Sequence, residues 1–390
     1  MPDGREEIRV EVVSRIAEVS AAEWDECADA GGINPFVRHA FFKALEDSGS
    51  CSARTGWQPQ HLVVRDQDAR IVACMPIYLK SHSYGEYVFD WGWADAYDRA
   101  GGSYYPKLQC AVPFTPATGP RLLVRAGAPE KCYDILIAGA VELARQHKVS
   151  SLHVTFPTRA EWGRLGAAGF LKREGKQFHW ENRGYASFDD FLGELSARKR
   201  KAIKKERREV ADAGVTLKRL TGAEITEGHW DSFYRYYRST IDQRTWGRAY
   251  LNREFFSRLG ATMSELALLV IAEHGGERIG GALNLVCADT LYGRNWGCTR
   301  EVKFLHFEAC YYQAIEHAIE RKLKWVEAGA QGPHKIQRGY LPRETYSAHW
   351  IADSNFRDAV QRFVQQERRE IDREIDGLME YSPYRKTGEE

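Results

Sequence analysis

The stretch AVELARQHKVSSLHV, residues 140–154, has a counterpart in AIEHAIERKLKWVEA, residues 314–328. In both stretches apolar residues recur at helical spacing and then pass into a short apolar run, a pattern that predicts a helix leading into a β-strand. Two copies of one supersecondary unit indicate an internal duplication of the chain. Chance similarity between two ordinary helix–strand segments is the alternative.

Pairs of strands are predicted upstream of both segments. The four predicted strands are residues 69–79, 84–93, 278–287 and 290–298. The second strand of each pair is rich in aromatic residues, and three residues match at one constant offset: Tyr87, Trp91 and Gly92 with Tyr292, Trp296 and Gly297. Each half is thus expected to hold two antiparallel strands, a helix, and a strand parallel to its neighbour. The extra stretch 104–128, rich in Pro and Gly, is predicted as a long loop.

The predicted duplication divides the 390 residues into three parts. Residues 1–186 form the first half, 187–214 a basic helical connector, and 215–390 a second half that ends in a C-terminal helix. Each half is expected to form a mixed, mostly antiparallel sheet flanked by helices, which places the chain in the α/β (α+β) class.

The composition excludes several classes of protein. The 55 basic and 54 acidic residues leave a net charge of +1, so overall charge does not commit the chain to nucleic acid or to an anionic membrane. Apolar runs fall far short of the roughly 20 residues of a membrane span, and residues 1–10 are too polar for a signal peptide. The sequence therefore predicts a soluble, cytoplasmic protein without a membrane span.

Familiar catalytic and metal-binding motifs are absent from the sequence. Neither the Gly-x-Ser-x-Gly motif of serine hydrolases nor the P-loop of nucleotidases occurs. The histidines show no spacing that places two on one helix face, and the eight cysteines never form a Cys-x-x-Cys pair. We therefore expect no metal site and reduced thiols.

Residues 198–208 are the densest charge run, with eight basic residues among eleven. Because Ser196 is a candidate N-cap and an apolar stripe precedes it, residues 188–211 are predicted to form one or two helices. The basic residues at 198, 201, 205 and 208 fall on one helix face. That face is either a solvated surface or a phosphate-binding face, since the two nearby glutamates cannot neutralise so many cations.

Three stretches, residues 81–97, 198–208 and 326–340, resemble the FemAB-like proteins. These are predicted bacterial N-acyltransferases related to the Fem enzymes, which add amino acids from aminoacyl-tRNA to peptidoglycan precursors. The resemblance implies two tandem folds of the GCN5-related N-acyltransferase (GNAT) type. It also implies transfer of an acyl or aminoacyl group to an amine on a peptidoglycan-precursor-like or small-molecule acceptor.

The donor implied by the resemblance is aminoacyl-tRNA or acyl-CoA, acting as a co-substrate rather than as a tightly bound cofactor. Acetyl-CoA-using GNAT proteins grip the pyrophosphate with a glycine-containing loop at a helix N-terminus. The corresponding residues 299–308 contain no glycine, whereas residues 198–208 offer many cations. This difference favours a tRNA-borne donor, and the candidate donor-binding residues of the basic segment are Arg200, Lys201, Lys204 and Lys205.

Candidate catalytic residues lie close together after the predicted strand 323–330. Glu327 has apolar neighbours and suits a general base, with a structural ion pair as the alternative. By the resemblance, Lys335 matches a lysine that stabilises the developing oxyanion, and Arg338 is the match for gripping donor phosphate. His334 is a candidate proton shuttle. An ordinary surface loop is the alternative for these three residues.

Further donor contacts are predicted at Arg294, in an aromatic strand with Glu327 as a candidate partner, and at His306, near the start of the predicted helix 304–322. A capping or packing role is the alternative for His306. The candidate acceptor-binding residues are Asp90, Trp91, Asp95 and Tyr97. Acids beside aromatic rings can hold an ammonium by charge and cation–π contact, although turn-forming aspartates and core aromatic residues are the alternative.

Two other functions stay open at this level. The chain could be a non-catalytic tRNA- or RNA-binding module that uses residues 198–208, or a structural pseudoenzyme. The grouping of Glu327, His334 and Lys335 in one short segment favours an enzyme. The sequence predicts neither the oligomeric state nor which half is active.

Overall fold

The computed structural model describes residues 8–242, 249–329 and 332–385. The chain forms two compact units. Unit 1 consists of Met1–Gly175 and Glu344–Ile371, and unit 2 of Lys176–Arg343 and Asp372–Glu390. These units are defined by packing, whereas the predicted halves and the connector are defined by sequence repetition. The predicted boundaries of the halves and the connector therefore stay a prediction.

The strands are β1 (Arg9–Val13), β2 (Trp57–Pro59), β3 (His61–Arg65), β4 (Ile71–Met75), β5 (Ile77–Lys80), β6 (Lys107–Cys110), β7 (Leu123–Val124), β8 (Ser151–Thr155), β9 (Leu171–Glu181), β10 (Val215–Thr221), β11 (Ala267–His274), β12 (Glu277–Val286), β13 (Thr290–Cys298), β14 (Trp325–Glu327) and β15 (Leu341–Ile351).

The helices are α1 (Ala21–Ala28), α2 (His39–Asp47), α3 (Trp91–Arg99), α4 (Lys131–Gln146), α5 (Arg159–Ala167), α6 (Phe188–Gly193), α7 (Ala197–Asp212), α8 (Glu227–Asp242), α9 (Arg253–Met263), α10 (Leu305–Phe307), α11 (Gln313–Glu320) and α12 (Ser354–Met379). A π turn, Glu308–Tyr312, joins α10 to α11. Among the described residues, no helix is long and apolar enough to cross a membrane.

Unit 1 contains a small antiparallel sheet with the strand order β1–β3–β4–β7. In its other sheet the order is β2–β5–β6–β8–β15, where β6 and β8 are parallel and the remaining pairs are antiparallel. Helix α4 packs in this unit because Leu136, Ala140 and Leu143 recur at helical spacing. They share one buried cluster with Leu152 and Val154 of β8.

Unit 2 contains one sheet with the order β10–β11–β12–β13–β14–β9. Its pairs are antiparallel except for β13 and β14, which are parallel. The helical segment 305–320 connects these two strands, as a parallel crossover requires. Ala314 and Ala318 of this segment share a buried cluster with Val326 of β14.

The two units repeat one order of elements, and this confirms the predicted fold class of tandem mixed sheets flanked by helices. The order is β5, β6, α4, β8 and β15 in unit 1, and β12, β13, α11, β14 and β9 in unit 2. The repeated helix and strand of residues 140–154 and 314–328 are confirmed as parts of these sets. The last strand of each set, β15 in unit 1 and β9 in unit 2, lies outside the stretch of sequence that contains the other four elements.

The predicted strand over residues 84–93 is wrong. Residues 84–90 form no strand, and α3 begins at Trp91, so the matching of Tyr87, Trp91 and Gly92 to strand residues of the second half is wrong as well. The antiparallel partner of β5 is instead β6, which lies in the predicted loop 104–128.

The reason for this error is a contact between residues distant in sequence. Glu86 and Asp90 are buried, and both accept hydrogen bonds from the fully buried ammonium of Lys107. The local alternation of apolar and polar residues cannot show that two acidic side chains are buried because they pair with a lysine about 20 residues later. The predicted helix over residues 188–211 is confirmed as the two helices α6 and α7.

Candidate functional site

The candidate site lies in unit 2, where β13 and β14 separate. The two strands pair over three positions that end with Tyr292 opposite Glu327, although β13 continues to Cys298. Among the described residues, no strand pairs with Gly293–Cys298 on that side. A Cβ atom on Gly293 would lie 3.4 Å from the carbonyl oxygen of Glu327, so the backbones are close just before they part. A strand edge that no other strand covers can pair with an extended ligand.

The helical segment 305–320 follows β13 and is irregular at its start. Phe304 adopts a left-handed backbone with φ of +64°. The π turn comes next, and its buried Glu308 accepts hydrogen bonds from Nε and Nη2 of Arg207, at 3.1 and 3.0 Å. π turns occur frequently at functional sites. Here the turn places Tyr311 and Tyr312 on the side of the Pro333–Arg338 turn.

Two histidines lie at this π turn. The Nε2 atom of His334 is 3.0 Å from the hydroxyl oxygen of Tyr311, and the ring centroids of His306 and His334 are 6.3 Å apart. Burial, with help from His334, lowers the pKa of His306 to about 4. Burial and nearby cations also lower the pKa of His334. A neutral imidazole beside a hydroxyl can accept and return a proton at neutral pH.

Lys335 lies in the 3₁₀ turn Pro333–Arg338 and is buried. Its Nζ donates a hydrogen bond to the carbonyl oxygen of Gly329 at 3.0 Å. Burial lowers the pKa of Lys335 to about 8. Among the described residues no carboxylate forms an ion pair with this ammonium. A buried cation without a counter-ion favours an anion or a developing negative charge next to it.

Arg338 links the Pro333–Arg338 turn to α7. Its Nη2 lies 2.8 Å from Oε1 of Glu206, and its guanidinium carbon lies 3.4 Å from the ring centroid of Phe307. The other carboxylate oxygen of Glu206 accepts a hydrogen bond from the hydroxyl of Tyr312. The predicted role of Arg338 in gripping donor phosphate stays a prediction, since the structure shows the side chain in this structural contact.

Glu327 ends β14, immediately before the strands part. Its side chain is 12% exposed, and its Oε2 lies 3.9 Å from Nε2 of His179. Burial and nearby Arg343 lower the pKa of His179 to about 3, so this imidazole is neutral at pH 7. Burial and Glu327 together raise the pKa of Tyr292. Arg294 is half-buried in β13, two residues beyond Tyr292.

Helix α7 has an inner face and a cationic outer face. Ile203 and Val210 are buried, and Glu206 and Arg207 form the contacts described above. The outer face carries four exposed basic residues at the predicted spacing: Arg198, Lys201, Lys205 and Arg208. Of these, within the described residues, Lys205 alone has an ion pair, with Glu209 at 3.7 Å. This outer face thus keeps a surplus of positive charge.

The other two predicted donor-binding residues of this segment, Arg200 and Lys204, do not belong to the outer face. Arg200 is half-buried, and the exposed Lys204 forms an ion pair of 2.8 Å with Asp189. The structure therefore places Lys201 and Lys205 on the outer face of α7 and leaves Arg200 and Lys204 beside it.

The four predicted acceptor-binding residues lie in unit 1 and face different surroundings. Asp90 is buried and accepts a hydrogen bond from Lys107. Trp91 and Asp95 are exposed on α3, and Tyr97 is half-buried against Phe356, with ring centroids 4.5 Å apart. The predicted contact of these four side chains with the acceptor stays a prediction.

Unit 1 holds a buried polar network that the sequence analysis did not identify. Lys107 donates to Ser83 and Glu86 at 2.7 Å each, and Tyr104 donates to Asp90 at 2.7 Å. His153 and His349 extend it, with their Nδ1 atoms 2.7 Å apart. Local sequence does not reveal the network, because these residues come from four separate segments that folding brings together.

Acid should destabilise the fold through this histidine pair. Burial with Lys107 lowers the pKa of His153 to about 3 from an ordinary 6.5, so this ring is neutral at pH 7. Burial lowers the pKa of His349 as well. Between these two pH values the unfolded chain binds more protons at His153, so stability falls as pH falls, by up to about 1.4 kcal/mol per pH unit for this histidine.

Urea unfolding at pH 7, 6 and 5 measures this effect. His153→Asn should reduce the slope of unfolding free energy against pH, whereas His147→Gln, at an exposed histidine, should leave it unchanged. A free energy of unfolding that stays constant from pH 7 to pH 5 would contradict the assignment of two neutral histidines.

Three residues of the unit 2 site were also missed by sequence reasoning: His179, Glu206 and Tyr311. His179 comes from β9, Glu206 from α7 and Tyr311 from the π turn. Glu206 lies in the basic run of residues 198–208, but nothing in that run marks it as a site residue. Within the described residues, no group of three or more His, Cys, Asp or Glu side chains is placed to hold a metal ion.

A model of the FemAB-like family, described as peptidoglycan biosynthesis and recognition, matches residues 15–386. The match covers nearly the whole chain and confirms the resemblance found in the sequence. No curated protein matches the chain.

Several solved structures share the fold. FemX aligns with a TM-score of 0.55 at 11% identity, covering 88% of this chain and 98% of that chain. The C-terminal domain of a putative lysylphosphatidylglycerol synthetase from Agrobacterium fabrum gives 0.54 at 8% identity, covering 87% and 95%. L-PGS from Bacillus licheniformis gives 0.52 at 9% identity, covering 85% and 98%. At such low identities the likeness shows the fold alone.

Proposed function

The chain belongs to the FemAB-like family, and from this membership we propose that it is an N-acyltransferase that moves an acyl or aminoacyl group from an activated donor to an amine. The observation that carries the proposal is the buried ammonium of Lys335 at the place where β13 and β14 part. The family description supports a peptidoglycan-precursor-like amine as the acceptor, with a small-molecule amine as the second candidate.

In this proposal the donor lies along the open edge of β13 with its carbonyl oxygen toward Lys335. Attack by the amine turns that carbonyl oxygen into an oxyanion, which a preorganised cation in a buried site stabilises. A pKa of about 8 leaves Lys335 mostly protonated at pH 7, as this role requires. The hydrogen bond to the carbonyl of Gly329 holds the ammonium in place before the reaction begins.

Proton transfers complete the reaction. The carboxylate of Glu327 takes a proton from the acceptor ammonium, and the free amine then attacks the donor carbonyl carbon. A C–N bond forms, and the C–O bond of an ester donor or the C–S bond of a thioester donor breaks. Neutral His334 takes the second proton of the attacking nitrogen, and the hydroxyl of Tyr311 protonates the leaving oxygen or sulfur. The imidazolium of His334 then returns a proton to Tyr311, 3.0 Å away.

Aminoacyl-tRNA is the donor that the charge of α7 favours. Arg198, Lys201 and Arg208 have no ion pair within the described residues, and a face with surplus cations attracts a polyanion. The opposite face of the same helix reaches the site through Glu206 and Arg338. Acyl-CoA is the second candidate donor, since its small charged portion does not require an extended cationic helix.

Charge reversal on α7 tests the donor. The double variant Lys201→Glu and Lys205→Glu should weaken binding of aminoacyl-tRNA at least about tenfold at roughly 100 mM salt and lower the slope of log Kd against log salt by about two, one per phosphate contact. The matched control reverses Arg362 and Arg369, two exposed residues of α12, and should change neither quantity. Turnover with acyl-CoA that is unaffected by the α7 variant, without turnover of aminoacyl-tRNA, would refute the tRNA donor.

A second function follows from the same face of α7. A chain that binds tRNA through Lys201 and Lys205 but transfers nothing would be a non-catalytic RNA-binding module. Formation of an amide distinguishes acyl transfer from RNA binding alone, because the amide forms only if the acyl group moves from the donor to the amine. Mass spectrometry of an amine acceptor after incubation with each donor detects that product directly.

A further inference from the structure

A short segment after α12, residues 382–385, forms a strap in unit 2 across the junction between α6 and α7. The carbonyl of Pro383 accepts a hydrogen bond from the backbone N–H of Ser196 at 2.9 Å, and the N–H of Arg385 donates to the carbonyl of Glu194 at 3.0 Å. Leu195 and Tyr384 form an antiparallel bridge between these bonds. The strap is therefore fixed by backbone pairing directly before α7 begins.

The side chain of Tyr384 reaches from the strap to the loop of the candidate site. Its hydroxyl donates a hydrogen bond to the carbonyl of Gly339 at 3.0 Å, and the guanidinium carbon of Arg183 lies 4.4 Å from its ring centroid. Gly339 has φ of +89°, and a Cβ atom there would lie 2.9 Å from the ring of Phe191 and 3.1 Å from the Tyr384 hydroxyl. The loop therefore packs tightly against Phe191 of α6 and Tyr384 of the strap, and its left-handed backbone favours glycine.

Gly339 is joined to Lys335 by hydrogen bonds within the turn. The N–H of Gly339 donates to the carbonyl of Ile336 at 3.0 Å, and the N–H of Tyr340 donates to the carbonyl of Lys335 at 3.3 Å. A displacement of Gly339 is therefore transmitted to the backbone of Lys335. The ammonium of Lys335 is held separately by its hydrogen bond to the carbonyl oxygen of Gly329.

We propose that the strap positions the loop that carries Lys335 and that Tyr384 is its positioning residue. The catalytic consequence rests on the proposed function, whereas the hold of the strap on the loop does not. Because the strap is anchored where α7 begins, it also ties the start of the cationic helix to the loop. Tyr384 acts through Gly339 and does not touch the reacting atoms.

Tyr384→Phe tests this proposal, because it removes the hydroxyl and keeps the ring beneath Arg183. Hydrogen–deuterium exchange of the amides of residues 336–340 should become about fivefold faster, as expected for the loss of one hydrogen bond. The turnover number should fall on the order of tenfold, because small misplacement of a catalytic group is costly, while the KM of the donor stays unchanged.

Tyr381→Phe is the matched control, since Tyr381 lies just before the strap and is 66% exposed. It should alter neither the exchange nor the turnover number. Exchange of residues 336–340 that is the same in both variants would overturn the proposal, and so would faster exchange with an unchanged turnover number. If the wild-type chain transfers nothing, the proposed function fails, and the exchange comparison still decides whether the strap holds the loop.

Discussion

Replacing Lys335 with methionine should lower the turnover number by on the order of 10² to 10³, with little change in the KM of the donor. This is the range for removing one preorganised group that stabilises an oxyanion. Methionine keeps a long side chain in the buried position, so packing is largely retained. Steady-state transfer with a saturating acceptor, together with thermal unfolding of the variant, measures the effect apart from a loss of fold.

The pH dependence identifies the role of Lys335. If the cation stabilises negative charge, the rate falls as pH rises through about 8, the pKa to which burial lowers this group, because the proton is then lost. If Lys335 were a general base, the rate would rise over the same range. Lys218→Met is the control, since this exposed lysine pairs with Glu273 in unit 2 and lies outside the site. Full activity of folded Lys335→Met would remove Lys335 from the mechanism.

Replacing Glu327 with glutamine should lower the turnover number by on the order of 10² or more and leave the donor affinity nearly intact. Glutamine has almost the same shape but cannot accept the proton of the acceptor ammonium. Equilibrium binding of the donor and initial rates over a pH series measure both effects.

Glu320→Gln provides the control for this change. Glu320 is exposed at the end of α11 and pairs with Arg219 at 2.8 Å, outside the site. A folded Glu327→Gln variant that keeps the wild-type rate across the pH range would show that Glu327 is a structural anion.

The elements that sequence predicted correctly are those specified by local pattern. The helix–strand pairs at residues 140–154 and 314–328 have continuous apolar periodicity, and the basic face of α7 follows from a spacing of three and four residues. Residues 84–93 show why such reasoning fails elsewhere. Their fold depends on Glu86 and Asp90 meeting Lys107, a contact that no local spacing encodes.

The candidate site could be predicted in part for the same reason. Glu327 and Lys335 are near each other in sequence, so a single strand and turn place both at the separation of β13 and β14. Glu206, Tyr311 and Tyr384 reach that region from other elements, and their pairing with Arg338, His334 and Gly339 is tertiary. Arg338 in particular has a half-buried carboxylate partner, Glu206, that its loop sequence does not reveal.

The most direct test of the central claim is conversion of a donor ester or thioester into an amide by the full chain. Aminoacyl-tRNA and acyl-CoA, each with an isotope-labelled acyl group, are incubated with an amine acceptor that resembles a peptidoglycan precursor peptide, and the mass of the acceptor is measured by mass spectrometry. We expect the label in an alkali-stable amide with the wild-type chain and a loss on the order of 10² or more in its rate of formation with Lys335→Met. If neither donor yields an amide, or if the wild-type chain and the Lys335→Met variant form the amide at equal rates, the result would contradict an acyltransferase site where β13 and β14 part.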